Sequence, residues 1–218
     1  MQPDKKLYSI VYADPPWDYK DQNCNGAVAY RTTGIEGLKK LRLNEITEKD
    51  AVLLMWATAP FLPEAFDLIK AWGFKYKTCA FTWVKINKKD EAPICGLGRY
   101  TRSSCEWVLL ATKGKPLARQ SNAVRQILEE AGEVFRLPRE GHSVKPAEFR
   151  DRIVELFGDL PRLEMYARAA APGWDVYGDQ APDTVTIPGD VVKSKAPPPK
   201  RKAAPPKRKA PPPPKRAA

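Results

Sequence analysis

The sequence has a single histidine, His142, and four cysteines in 218 residues. Cys24, Cys79, Cys95 and Cys105 are far apart, with no C-x-x-C pair, and one histidine does not complete a zinc set with them. A structural metal is therefore not expected, and each thiol reads as reduced and at least partly buried. Long apolar runs are missing too. The longest, Ala51 to Leu62, is about a dozen residues and is interrupted by Thr58 and Pro60, too short to span a bilayer. The opening Met-Gln-Pro-Asp-Lys-Lys lacks the apolar stretch and small-residue cleavage site of a secretion signal. These absences point to a cytoplasmic protein that touches neither metal nor membrane.

Acidic residues are absent from one stretch. Residues 191–218 hold ten Lys and Arg and no Asp or Glu. The whole chain has 37 basic against 26 acidic residues, a net charge of +11; outside that stretch the balance is 27 against 26. A basic nucleic-acid-binding fold along the whole chain is thereby excluded: residues 1–190 are nearly neutral. Residues 196–218 are nine prolines, six alanines and otherwise only Lys and Arg. With no apolar side chains to offset the entropy of ordering, such a segment is expected to be a disordered arm of polyproline II character. The composition changes near Ala181, which divides the chain into a domain at 1–180 and a Pro/Ala/Lys/Arg-rich tail at 181–218. Flexible cationic segments attract polyanions by releasing counterions, without sequence preference.

Within the domain, short β-branched and aromatic runs alternate with helical patterns. Leu7–Ala13, Ala51–Ala57, Thr78–Lys85, Cys105–Thr112, Leu163–Ala167 and Trp174–Tyr177 read as strands. A helix follows Pro60 and Pro63 and ends at Gly73; another opens at Pro146, with Phe149, Ile153, Leu156 and Phe157 at helical spacing. This alternation predicts an α/β sheet with helices on both faces. Trp56, Trp72 and Trp83 lie inside apolar elements and read as core.

Ligands in open α/β sheets bind beyond the carboxyl ends of the strands. The first strand delivers Asp14-Pro15-Pro16-Trp17 there. Asp14 supplies a carboxylate acceptor, and the prolines stiffen the turn and leave carbonyls, such as that of Pro15, to point outward. Trp17 adds a flat aromatic face. An acceptor pair beside a stacking surface suits the exocyclic amine of a nucleobase, whose two N–H groups need acceptors while its ring stacks. Gly96 and Gly98 do not form a dinucleotide fingerprint, because no strand-to-helix turn surrounds them; they belong to a loop able to close over a base.

Further motifs follow in order: Y-A-D-P-P-W at 12–17, L-M-W-A-T at 54–58, A-W-G-F-K at 71–75, W-V-K at 83–85 and G-L-G-R-Y-T-R at 96–102. E-W-V-L-L-A-T-K-G at 106–114, H-S-V-K-P at 142–146, L-E-M-Y-A-R at 163–168 and G-W-D-V-Y-G-D-Q at 173–180 complete the set. In this order, from Tyr8 to Gln180, they resemble the DPPW-type N6-adenine methyltransferases. These form the family of the seventy-kilodalton subunit of mRNA adenosine methyltransferase, and the likeness is to its bacterial and phage DNA-methylating branch.

The resemblance implies a Rossmann-like methyltransferase sheet, S-adenosyl-L-methionine as cofactor, and methyl transfer to N6 of adenine in DNA. An RNA substrate, or an inactive nucleic-acid-binding relative, are the alternatives. It also implies roles for residues. Asp14, Pro15, Pro16 and Trp17 would be catalytic. Asp14, Lys145, Arg168, Asp179 and Gln180 would hold the cofactor, Lys145 at its carboxylate, Arg168 and Gln180 at its ribose. Tyr19, Tyr30, Arg99, Arg102 and Glu106 would meet the substrate. Position 179 is commonly asparagine in the family, so Asp179 is a departure that bears on the cofactor contact. Beyond the base pocket, the basic tail would hold the nucleic acid; nothing in the sequence sets an oligomeric state.

Overall fold

Strands that are apolar on both faces need cover on both faces, and the chain supplies it. A computed structural model describes residues 6–17, 34–86, 92–93, 100–127, 136–138, 145–178 and 180–190. In order come β1 (Tyr8–Ala13), α1 (Gly34–Lys39), β2 (Thr47–Ala57), α2 (Leu62–Ala71), β3 (Lys75–Ile86) and β4 (Cys105–Lys113). After these come β5 (Arg136–Pro138), α3 (Glu148–Phe157), β6 (Arg162–Ala167) and β7 (Asp175–Gly178). The strands form one sheet in the order β5-β3-β4-β2-β1-β6-β7. β1 pairs in parallel with β2 and β6, β6 with β7, and β3 with β5, while β4 runs antiparallel to both its neighbours.

The two-residue strand period sorts side chains between two cores. Val11 and Ala13 of β1, with Leu53, Met55 and Ala57 of β2, face α1 and α2, which contribute Leu38, Ala65, Leu68 and Ile69. Ile10, Tyr12, Leu54 and Trp56 face the other way, against Phe149, Ile153 and Phe157 of α3. The expected α/β architecture with helices on both faces is thus what the chain adopts. Trp56, Trp72 and Trp83 are buried as expected. β2 and β3 begin earlier than their apolar runs, at Thr47 and Lys75. Backbone pairing carries those polar ends, since Tyr8 is in register with Thr47 and Lys75 with Thr112. α1 and β5 are too short to show a period and were not foreseen.

The ordered domain extends past the boundary read at 180. Residues 180–190 fold back as a strap: Ala181 N–H donates to Ala167 O (3.2 Å), Thr184 N–H to Val176 O (2.8 Å), and Arg42 N–H to Pro188 O (2.8 Å). Ile187 is 1% exposed and belongs to the core under α1 and α2. The sequence placed this stretch in the tail because its apolar residues are sparse; one buried isoleucine and side-chain caps hold it instead. Gly189, at φ +88°, has no room for a Cβ against the carbonyl of Lys40. Residues 191–218 lie outside the described residues. Ile187→Ala is expected to cost about 2–5 kcal/mol. A chain ending at 180 is expected to lose cooperative thermal unfolding that a chain ending at 190 keeps, as circular dichroism melting would show.

Candidate active site

The strand order changes direction at β1. From β1 the chain moves through β2 toward one edge of the sheet; after α3 it returns to β6, on the other side of β1, and moves to β7. A crevice forms where connections diverge in this way, beyond the strands' carboxyl ends. Asp14 follows β1 at this point, and its N–H donates to Met165 O of β6 at 3.3 Å. Because β4 alone is reversed, its first residues share that end of the sheet with the last residues of the others. Glu106, at the start of β4, therefore joins Lys85, near the end of β3, and Asp14. The pairing of Trp83 with Glu106 and of Trp56 with Val108 puts their neighbourhood on the α3 side. Lys145, just ahead of α3, reaches into the same corner.

These four groups make an alternating chain of charge. Lys145 Nζ lies 2.8 Å from Asp14 Oδ2 and 3.4 Å from Glu106 Oε2. The second Glu106 oxygen, Oε1, accepts from Lys85 Nζ. Lys145 and Glu106 side chains keep only 11% and 10% exposure, whereas Asp14 keeps 30%, so the carboxylate end faces the crevice. Beneath them runs an aromatic floor. Lys145 Nζ sits 5.2 Å from the Trp56 ring centroid and Lys85 Nζ 5.1 Å from that of Trp83, within cation–π range. Trp56 Nε1–H donates to Tyr12 Oη at 2.6 Å, which fixes the indole under Lys145.

Burial and charge move the groups in different directions. For Asp14 burial dominates and raises its pKa above the ordinary 3.8, against the pull of Lys145 and Arg168. Glu106 is buried too, but Lys145 and Lys85 together outweigh that and hold it below 4.5. Burial opposes the charge on Lys145, yet Asp14 and Glu106 prevail and raise its pKa above 10.5. Of the two carboxylates, Asp14 is the one that takes up a proton more readily. Behind it, Arg150 of α3 clamps Glu164 of β6 through two bonds of 2.6 and 2.7 Å.

On the far side of Asp14 the edge continues through β6 and β7. The β6–β7 register slips between Met165 and Ala167, and Tyr166 there adopts φ +64°, a left-handed conformation rare for a bulky residue. Such bulges re-aim the side chains around them. Tyr166 packs with the α1–α2 core and stands 5.7 Å, ring to ring, from Tyr177. Arg168 follows, half-buried and close enough to Asp14 to affect its titration. Gln180 is exposed in the next turn, held by the Ala181 bond to Ala167 and by Asp183 Oδ1, which accepts Gly178 N–H at 2.7 Å. Gly178 has no room for a Cβ against the carbonyl of Ala181.

Asp14, Lys145 and Glu106 are thus brought together, and Arg168 and Gln180 stand on the neighbouring strand ends. Three observations bear on the expected residues. Trp17 is 6% exposed and stacks on Phe61 (5.6 Å, 13°) within the core, so its indole is packed rather than presented as a platform. The Pro15 carbonyl accepts Trp17 N–H at 2.9 Å, so one of its two acceptor directions is taken. Lys145 pairs with Asp14 and Glu106. Pro16 is half-buried in the turn between them, and Arg102 is exposed ahead of β4. Tyr19, Tyr30, Arg99, Asp179, His142 and Ser143 lie outside the described residues. Sequence reasoning missed Lys85, although W-V-K carried it. Trp56 read correctly as core, but nothing in its apolar run signalled a partner for Lys145. Among the described residues no group of His, Cys, Asp and Glu could hold a metal, and no helix is long and apolar enough to cross a membrane.

The sequence is similar to known proteins. The family model described as MT-A70 matches residues 8–180. The chain is 34% identical to Type II methyltransferase M.MunI of Mycoplasma sp over 88% of this chain and 86% of that protein. It is 25% identical to a probable N(6)-adenosine-methyltransferase MT-A70-like protein of Oryza sativa subsp. japonica, over 79% of this chain and 23% of that one. With the N(6)-adenosine-methyltransferase catalytic subunit METTL3 of Homo sapiens the identity is 24%, over 85% of this chain and 30% of that one.

Proposed function

The chain belongs to the MT-A70 family, and from that premise we propose that it transfers a methyl group from S-adenosyl-L-methionine to the N6 amine of adenine in DNA. The single observation that carries the chemistry is Asp14, held at the strand-order reversal by Lys145 with its open side to the crevice. DNA is preferred to RNA because the relative matched over most of both chains is a type II methyltransferase. The N(6)-adenosine relatives, at 24–25% identity, keep RNA as the competing substrate.

The residues present fit the cofactor. Arg168 donates and Gln180 both donates and accepts, as ribose hydroxyls require, and they follow the ends of the adjacent strands β6 and β7, Arg168 within electrostatic reach of Asp14. When bound, S-adenosylmethionine supplies an electrophilic methyl group. The chain's own residues prepare the nucleophile. The Asp14 carboxylate and the remaining acceptor direction of the Pro15 carbonyl take the two amine N–H groups. Accepting both hydrogens draws the nitrogen lone pair out of conjugation with the ring, and fixing its direction lowers the entropic part of the barrier. The methylated nitrogen then sheds a proton, and Asp14, whose pKa burial raises, is placed to receive it. Until then Lys145 favours the ionised form of Asp14, against burial and the negative charge of Glu106.

Labelled S-adenosylmethionine offered with duplex DNA, single-stranded DNA and RNA, followed by nucleoside mass spectrometry, tests the reading. N6-methyldeoxyadenosine supports it, N6-methyladenosine from RNA alone moves the substrate to the second reading, and cofactor binding without product overturns both. The basic segment 191–218 acts as a tether. Its removal is expected to weaken DNA binding and flatten the salt dependence, because ten fewer cations release fewer counterions. Sequence preference stays unchanged. Fluorescence anisotropy at two salt concentrations checks this; a changed preference with unchanged salt dependence would contradict it.

A further inference from the structure

We infer that Lys85 is a positioning residue for the reaction: by occupying one oxygen of Glu106 it leaves Lys145 to Asp14. The inference rests on the reading of Asp14 as the group that meets the amine, and it assigns a role to a lysine that touches neither Asp14 nor the crevice centre.

Glu106 has two oxygens and two lysines. Lys85 takes Oε1, and Lys145 approaches Oε2 at 3.4 Å while lying 2.8 Å from Asp14. The ammonium of Lys145 is therefore unequally shared, nearer the carboxylate that works. A buried carboxylate with one lysine instead of two would draw that lysine closer, because leaving charge unpaired at 10% exposure is costly. Lys85 is fixed for this purpose. Its N–H donates to Ser104 O at 2.7 Å, next to the start of β4, and its Nζ rests over the Trp83 ring. Trp83 is fully buried and in register with Glu106. Lys85 and Glu106 thus sit on paired strands whose register cannot slip without unpacking Trp83.

Among the described residues, these charged and titratable groups face one another at this corner. Glu106 meets Lys85, Lys145 and Asp14; Asp14 meets Lys145, Glu106, Arg168, Tyr12 and Glu164; Cys105 lies beside Lys85. Removing the positive charge at 85 moves Lys145 toward Glu106 and away from Asp14. Asp14 then holds its proton to higher pH, and the acid limb of the pH–rate profile rises by about 0.5–1 pH unit.

The test is a double-mutant cycle on the full chain, read as the acid limb of kcat/KM with DNA and S-adenosylmethionine. Lys85→Met is expected to raise the limb, and Lys85→Arg to restore it. In a Glu106→Gln background, where no carboxylate competes for Lys145, Lys85→Met is expected to leave the limb unmoved. Lys85→Gln takes its place if the methionine variant does not fold. A limb unmoved by either neutral variant, or moved equally with and without Glu106, would falsify the inference. If the limb does not respond even to loss of Lys145, Asp14 is not the group it reports, and the role proposed for Asp14 fails with it, while methylated product still upholds the proposed reaction.

Discussion

Asp14→Asn is expected to lower the rate of methyl transfer on the order of 10³-fold, with the fold intact. Asparagine keeps the size and one acceptor, but presents an N–H₂ where the amine of adenine also donates. Two donors then face each other, the lone pair is no longer drawn out, and no base remains for the departing proton. Losses of 10²–10⁴ are typical when a positioned acid or base is removed. Stability should move little, or rise. Burial already raises the Asp14 pKa, so the folded state disfavours its charge, and a neutral amide of the same shape removes that cost. Rates with duplex DNA alongside urea denaturation separate the two effects. A large fall in stability together with the lost rate would assign Asp14 to the scaffold instead.

Lys145→Met is expected to do the reverse: a loss of stability of roughly 3 kcal/mol at neutral pH as well as most of the activity. Methionine fills similar space over Trp56, so packing is largely kept. What is lost is the cation between two carboxylates, and breaking such a buried pair typically costs 3–5 kcal/mol. The exposure of Asp14 and the help Lys85 gives Glu106 put this case at the low end. The sign with pH follows from the shifts. Glu106, with its pKa held below 4.5, contributes stability that is present above that value and lost as pH falls through the folded value. Asp14, raised above 3.8, works the other way: its ionisation on raising the pH costs stability. Lys145, raised above 10.5, contributes stability that is complete below that value and lost only as pH climbs through the folded one. Without Lys145 both carboxylates favour their protons, so the deficit relative to the unaltered protein should shrink from pH 7 toward pH 5. The acid limb of the rate should also move upward, further than for Lys85→Met. Denaturation at the two pH values and a pH–rate profile check both; a deficit that stays constant would mean that packing, not charge, was lost.

The sheet and its motif order could be read from the sequence because each central strand is a compact apolar run closed by Pro or Gly. Asp14 could be read because strand ends are where such folds work. Lys85 could not, since it is one lysine at the end of a strand whose importance comes from the reversal of β4, a topological fact no local pattern encodes. The packing of Trp17 was not legible for a related reason. An aromatic after two prolines presents the same pattern whether it faces a ligand or packs on Phe61, and only the position of the turn before α2 decides. The strap at 180–190 escaped because a single buried isoleucine and backbone bonds to Ala167 and Val176 leave little trace in composition. The strap ends at residue 190, the point at which the charge balance of the sequence changes.

The most direct measurement is nucleoside mass spectrometry of duplex DNA after incubation with S-adenosylmethionine and the full chain, beside the Asp14→Asn variant. The expected result is N6-methyldeoxyadenosine from the unaltered protein and about 10³-fold less from the variant. Methylation of a different base, or undiminished product from the variant, would contradict the account.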